Sequence, residues 1–113
     1  MDFERLDVWK RSRQLTVRIY KELSRCRDFG FRDQITRSAL SVPSNIAEGM
    51  ERASIGEKCH FLRIAKGSCA ELRTQLMIGG DIGYIPHSLA GELIQESREL
   101  SRMLGGLINK ISG

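Results

Sequence analysis

The sequence predicts an all-α fold, a single domain over residues 1–113 built as an antiparallel up-down-up-down four-helix bundle. Three observations predict it. Apolar residues recur at spacings of three and four in four separate stretches, the period of an amphipathic helix. Short turn signals join the stretches, which makes consecutive helices antiparallel neighbours. No alternating strand pattern, linker, low-complexity tract or internal repeat interrupts them.

The first helix is expected from about Leu6 to Arg25. Steps of about 100° per residue put Val8, Trp9, Ser12, Leu15, Thr16, Ile19, Tyr20 and Leu23 on one face. Lys10, Arg11, Arg18, Lys21 and Arg25 share a narrow arc opposite, with Gln14 among them. Arg27-Asp28-Phe29-Gly30 reads as a turn.

The second helix is expected from about Phe31 to Met50. Phe31, Ile35, Ala39, Val42 and Ile46 form its core stripe, edged by Ser38 and Gly49. A polar stripe runs beside it: Gln34, Arg37, Ser41, Asn45, Glu48 and Arg52. Leu40 and Ala47 lie on a third side. A helix with apolar residues on more than one side is usually covered on more than one side, so these two mark an expected contact with a second subunit. Pro43 has no N–H for the carbonyl of residue 39 and is expected to kink the helix or begin a new turn.

Ser54, with Glu57 three residues on, reads as a capping box opening the third helix. Phe61, Leu62, Ala65, Ser68, Cys69, Leu72 and Leu76 are its stripe. Gly79-Gly80-Asp81-Ile82-Gly83 reads as its frayed end and the following turn. Pro86 and Ser88 open the fourth helix. Its expected core face is Leu89, Leu93, Leu100, Leu104, Leu107 and Ile111. Glu92, Gln95, Glu99, Arg102 and Lys110 are its expected solvent face.

Composition narrows the function classes. The formal charge is +4 with a pI near 9.3, and the basic excess lies in residues 1–66. That bias is compatible with an anionic partner. Cys26, Cys59 and Cys69 are odd in number and lack C-x-x-C spacing, so free thiols in a reducing cytoplasm are expected. The charged N-terminus has no signal-peptide pattern, and no apolar run approaches the roughly 20 residues of a membrane span.

Catalytic and metal constellations are weak. Glu57-Lys-Cys-His60 has the Glu-x-x-His spacing of di-iron bundles, but such a site needs a second copy and two further glutamates. The plainer reading is an N-cap glutamate beside a surface histidine. Cys59 and Cys69 point apart on one helix and cannot join His60 around a metal. Cys69 reads as a small core hydrophobe. Gly79, Gly80 and Gly83 lack the preceding strand and the Lys-Ser/Thr of a phosphate loop. The expectation is no catalytic residue, no metal and no cofactor. The polar stripe reads as a buried, paired network fixing helix register, with Arg37 and Arg52 neutralising Glu48. The basic arc is the best candidate for a functional surface: its cations could meet successive phosphates, backbone-led and with little sequence preference. A solvated charged face is the plainer alternative.

Residues carrying a resemblance run along the chain to about Ile85. They begin with Phe3, Leu6 and Val8-Trp9, and continue through Tyr20, Phe29-Gly30-Phe31, Gln34-Ile35 and Arg37-Ser38-Ala39. The most specific run is Ser41-Val-Pro-Ser-Asn-Ile-Ala-Glu-Gly49. Arg52, Ser54, Glu57, Phe61-Leu62, Ile64-Ala65, Gly67-Ser68, Glu71-Leu72, Thr74-Gln75 and Gly83-Tyr84-Ile85 follow. In these residues the chain resembles the four-helix-bundle proteins encoded in intervening sequences of bacterial 23S ribosomal RNA genes. The accessory proteins of diversity-generating retroelements look like relatives of that family. The resemblance implies an antiparallel bundle assembled as a homopentamer. Through the retroelement relatives it implies a basic barrel that binds RNA or DNA and a reverse transcriptase. Two positions depart from the family pattern. Lys58 stands where an aromatic or apolar residue is usual, and Gly79-Gly80 interrupts a stretch that is usually more helical. The expected function is a non-enzymatic, cytoplasmic homo-oligomer that binds nucleic acid through the basic arc. The alternative is a scaffold that contacts another protein and binds no nucleic acid.

Overall fold

The structure, a computed structural model, describes residues 2–113. Four helices follow a short 3-10 turn at Phe3–Arg5: α1 Asp7–Glu22, α2 Phe29–Met50, α3 Ile55–Asp81 and α4 His87–Ser112. The molecule measures 42 × 21 × 20 Å. Each helix packs on its sequence neighbour, and α4 returns to α1 to close the bundle. The α2–α3 and α3–α4 seams are broad, and the α1–α4 seam is the thinnest. Among the described residues no helix is long and apolar enough to cross a membrane.

Local chemistry sets the helix ends. α1 stops at Glu22, earlier than the apolar spacing suggests, and Leu23 to Arg25 form a turn. Arg25 therefore leaves the helical arc. α2 begins two residues early, because the Asp28 carboxylate accepts the Phe31 N–H at 3.1 Å and caps it. That bond, joined by the Tyr84 hydroxyl at 2.9 Å, holds the Asp28 carboxyl below its usual range. It also ties the α1–α2 turn to the α3–α4 turn. The expected cap on α3 is present: Ser54 Oγ accepts the Glu57 N–H at 3.1 Å.

Gly79 and Gly80 are not a frayed end; α3 continues through them to Asp81. Their role is close approach. A Cβ on Gly79 would sit 3.0 Å from Ile85 Cδ1 and Phe31 Cζ, and one on Gly80 would sit 3.0 Å from Ala90 Cβ. The turn comes later, at Gly83, whose φ of 81° suits glycine.

The core is one cluster spanning all four helices. Ile19, Leu23, Ile35, Ile46, Leu62, Leu72, Leu76, Ile85, Leu93, Leu100 and Leu104 are its largest fully buried members. Two expected core assignments shift. Tyr20 is exposed. In α4, Ala90 and Ile108 are buried while Leu89, Leu107 and Ile111 lie half-buried at the rim. Cys69 is fully buried, which pushes its thiol up to about 12.

Pro43 sits buried within a continuous α2. The carbonyl it deprives of a partner, that of Ala39, accepts the Thr16 hydroxyl of α1 at 2.9 Å. A proline deep in one helix is thus matched by a threonine on the helix before it.

Candidate functional site

The basic arc of α1 straddles the edge of the bundle. Arg11 and Arg18 lie nearest the core side of the arc, beside Leu15, and that places them against α4. Arg11 makes a two-pronged pair with Glu96: Nε donates to Oε2 at 2.9 Å and Nη2 to Oε1 at 2.6 Å. This bond raises the Arg11 guanidinium further above its ordinary value. Arg18 Nη2 donates to Glu92 Oε1 at 2.9 Å. A cleft of about 420 Å³ lies along this seam, lined by Arg11, Gln14, Leu15, Arg18, Glu92, Gln95 and Glu96. The expected five-residue arc therefore divides. Arg11 and Arg18 are held by α4 carboxylates, while Lys10, Lys21 and Arg25 are exposed and without an ion pair among the described residues. Glu92 and Glu99 lie on the α4 face the sequence assigns to solvent, where Glu92 reaches Arg18 of α1 and Glu99 pairs with Arg102 one turn along.

The polar stripe of α2 divides as well. Its middle is a half-buried network. Asn45 Nδ2 donates to Ser41 O at 2.8 Å and to Ser41 Oγ at 2.9 Å, and Ser41 Oγ meets Ser68 Oγ of α3 at 2.8 Å. The lower end is a surface pair. Arg52 Nη2 donates to Glu48 Oε1 at 2.5 Å, and its guanidinium lies 4.9 Å from the Phe61 ring centroid. Gln34 and Arg37 are exposed. The expectation of one buried network over all six residues is therefore corrected to the Ser41–Asn45–Ser68 unit. The reason is helix geometry: α3 covers only the side of the stripe nearest the core. The two halves should separate on mutation. Asn45→Leu is expected to cost about 1 kcal/mol. Glu48→Leu, which removes an exposed ion pair, is expected to cost no more than about 0.5 kcal/mol. Urea unfolding checks this, and equal losses would show that Glu48 belongs to the same network.

Leu40 is 49% exposed, and Ala47, on the same side of α2, is half-buried. Leu40 is therefore not part of the chain's own core. Ile64 and Ile78 of α3 are also exposed. Lys58 donates from Nζ to the Met50 carbonyl at 3.0 Å, closing the end of α2. Its departure from the apolar residue usual in the resembled family thus has a local use. His60 is exposed, its ring 5.2 Å from that of Phe61. Among the described residues no three His, Cys, Asp or Glu side chains come together as metal ligands would.

Sequence reasoning missed a second group of cations. Arg63, Lys66, Arg73 and Arg98 have no ion pair among the described residues. Three share one side of α3 and the fourth is on α4, so no single helical wheel assembles them. A signal was present in the one-turn spacing of positions 63, 66, 70 and 73.

Comparison with known proteins agrees with this architecture. The model of the family described as 23S rRNA-intervening sequence protein matches residues 4–106. A crystal structure of a protein of unknown function from the S23 ribosomal protein family, from Bacteroides thetaiotaomicron VPI-5482, superimposes with a TM-score of 0.84. The two are 28% identical, over 89% of this chain and 97% of that one. No curated protein matches the chain.

Proposed function

This chain belongs to the 23S rRNA-intervening sequence protein family, and from that premise we propose a non-enzymatic, homo-oligomeric bundle that binds the phosphate backbone of nucleic acid. The observation that carries the reading is a surplus of exposed cations without carboxylate partners. They include Lys10 and Lys21 on the α1 arc, Arg25 in the turn after it, and Arg63, Lys66 and Arg98 on α3 and α4. Free cations that neutralise phosphates displace the counterions condensed on the nucleic acid, so binding must weaken steeply with salt. No aromatic residue lies within the arc, which favours contact with the backbone over stacking on bases.

The expected result is retention of the purified protein on mixed RNA or DNA at low salt and its release well below molar salt. Equal weak retention at all salt concentrations would reject the reading. It would leave a scaffold that contacts a protein, such as the reverse transcriptase implied by the retroelement relatives.

Self-association is the second half of the proposal. Exposed Leu40, with Ala47 beside it, supports a subunit contact on the outer side of α2. A closed ring is the expected symmetry, and five is the number implied by the resemblance. Light scattering is expected to give a pentameric mass at micromolar protein, and Leu40→Lys to reduce it to that of a folded monomer. A monomeric wild type rejects the assembly, and a dimeric one rejects the ring of five.

A further inference from the structure

We propose that the phosphate-binding surface is the α3–α4 seam, with Arg63, Lys66, Arg73 and Arg98 as its contacts, rather than the α1 arc. This rests on the reading above that the protein binds nucleic acid, and it says where.

The argument starts from spacing. Arg63, Lys66, Ala70 and Arg73 recur at three, four and three residues, which confines them to about 80° of α3 and about 15 Å of its length. They lie on the flank away from α2, which packs instead on Ser68, Phe61 and Gly79. Across the seam, Arg98, Ser101 and Gly105 hold the matching line on α4 at the same kind of spacing.

Register then joins the two lines. Gly80 faces Ala90, and Lys66 faces Gly105. These two contacts fix one antiparallel register, which sets Arg98 level with Arg73 and Ser101 level with Ala70. Small residues occupy the middle of the seam. Lys66 uses that space: its Cε and Nζ lie 3.8 and 3.9 Å from where a Gly105 Cβ would be. The end of the lysine side chain lies over the glycine, which keeps its ammonium at the seam.

Charge separates this surface from the α1 arc. Arg11 and Arg18 already face Glu96 and Glu92, so a phosphate there must displace a carboxylate. On the seam no residue of either line is acidic between Arg63 and Arg73 or between Arg98 and Ser112. The first acid along the α3 line is Asp81, about 12 Å of helix beyond Arg73. None of the four cations is ion-paired among the described residues. A line of three cations on α3, with Arg98 facing it across a furrow of small side chains, fits an extended polyanion. The phosphodiester backbone is the shared chemistry, and duplex DNA and duplex RNA of equal length are the two probes.

The test compares equal losses of charge at the two places. One variant carries Lys66→Gln, Arg73→Gln and Arg98→Gln; the other carries Lys10→Gln, Lys21→Gln and Arg25→Gln. Affinity is measured by fluorescence anisotropy across a salt series, with helicity and mass checked for both. For DNA, three lost phosphate contacts lower the slope of log affinity against log salt by about 2.7. The seam variant is expected to show a loss near that size, with binding at least tenfold weaker at moderate salt, whereas the α1 variant keeps most of the wild-type slope. Arg98→Gln alone, at an exposed position, is expected to lower the slope by about 1 and answers the case in which the triple variant misfolds. A wild-type slope in the seam variant, or a larger loss in the α1 variant, overturns the assignment while leaving the proposed function standing. Absence of salt-sensitive binding by the wild type to either probe overturns both.

Discussion

Thr16→Val will lower stability by about 1–3 kcal/mol, because it leaves the buried Ala39 carbonyl without a partner. The loss should depend on Pro43. In the wild type Pro43 cannot donate to Ala39, so Thr16 Oγ1 does, at 2.9 Å. In a Pro43→Ala background the new N–H at 43 can take over within the helix, and Thr16→Val should then cost little. A double-mutant cycle read by urea unfolding measures this coupling. Additive losses in the double mutant would show that the hydroxyl acts through something other than the orphaned carbonyl. Thr16 Oγ1 also lies 2.8 Å from Ser12 O, so its one hydrogen is shared between the two carbonyls, but the Ser12 carbonyl lies in uninterrupted helix and loses less.

Gly49→Val is the second large effect. A Cβ there would lie 3.0 Å from Phe61 Cβ and 3.1 Å from the Lys58 carbonyl oxygen. Both atoms are fixed to the α3 backbone, so the two helices must part. Overpacking of this kind costs about 1–3 kcal/mol, and a thermal midpoint lower by roughly 4–15 °C is expected. Gly79→Ala makes a useful contrast. Its close neighbours are Ile85 Cδ1 and Phe31 Cζ, the far ends of side chains that can turn aside. Thermal unfolding of both variants should rank Gly49→Val as clearly the more damaging. The reverse order would show that the α2–α3 distance is not set at Gly49.

The fold was legible because each helix announces itself through its own periodicity. The four apolar stripes needed only one neighbouring residue after another, and the Ser54–Glu57 cap needed four residues. What failed were features that exist only between helices. A wheel drawn for α1 alone shows Arg11 and Arg18 opposite the core, yet α4 reaches them with Glu96 and Glu92. The same limitation hid the α3–α4 cations, since Arg98 joins the other three only through register. It also made Gly79 and Gly80 read as helix breakers, because their use is the approach of Ile85 and Ala90. Thr16 and Pro43 were both conspicuous in the sequence, the first polar on a core face and the second inside a helix. Nothing local says that one answers the other.

The thinness of the α1–α4 seam bears on how the chain reaches this structure. The broad interfaces join helices adjacent in sequence, and the thin α1–α4 seam joins the segments farthest apart in the chain. Such a topology has low contact order, which places folding in roughly the microsecond-to-millisecond range of helical bundles. As the chain leaves the ribosome, α2 can settle on α1 and α3 on α2 before α4 exists. Closure of α4 onto α1, through Arg11, Arg18 and the residues about them, can come only after the last helix has been synthesised.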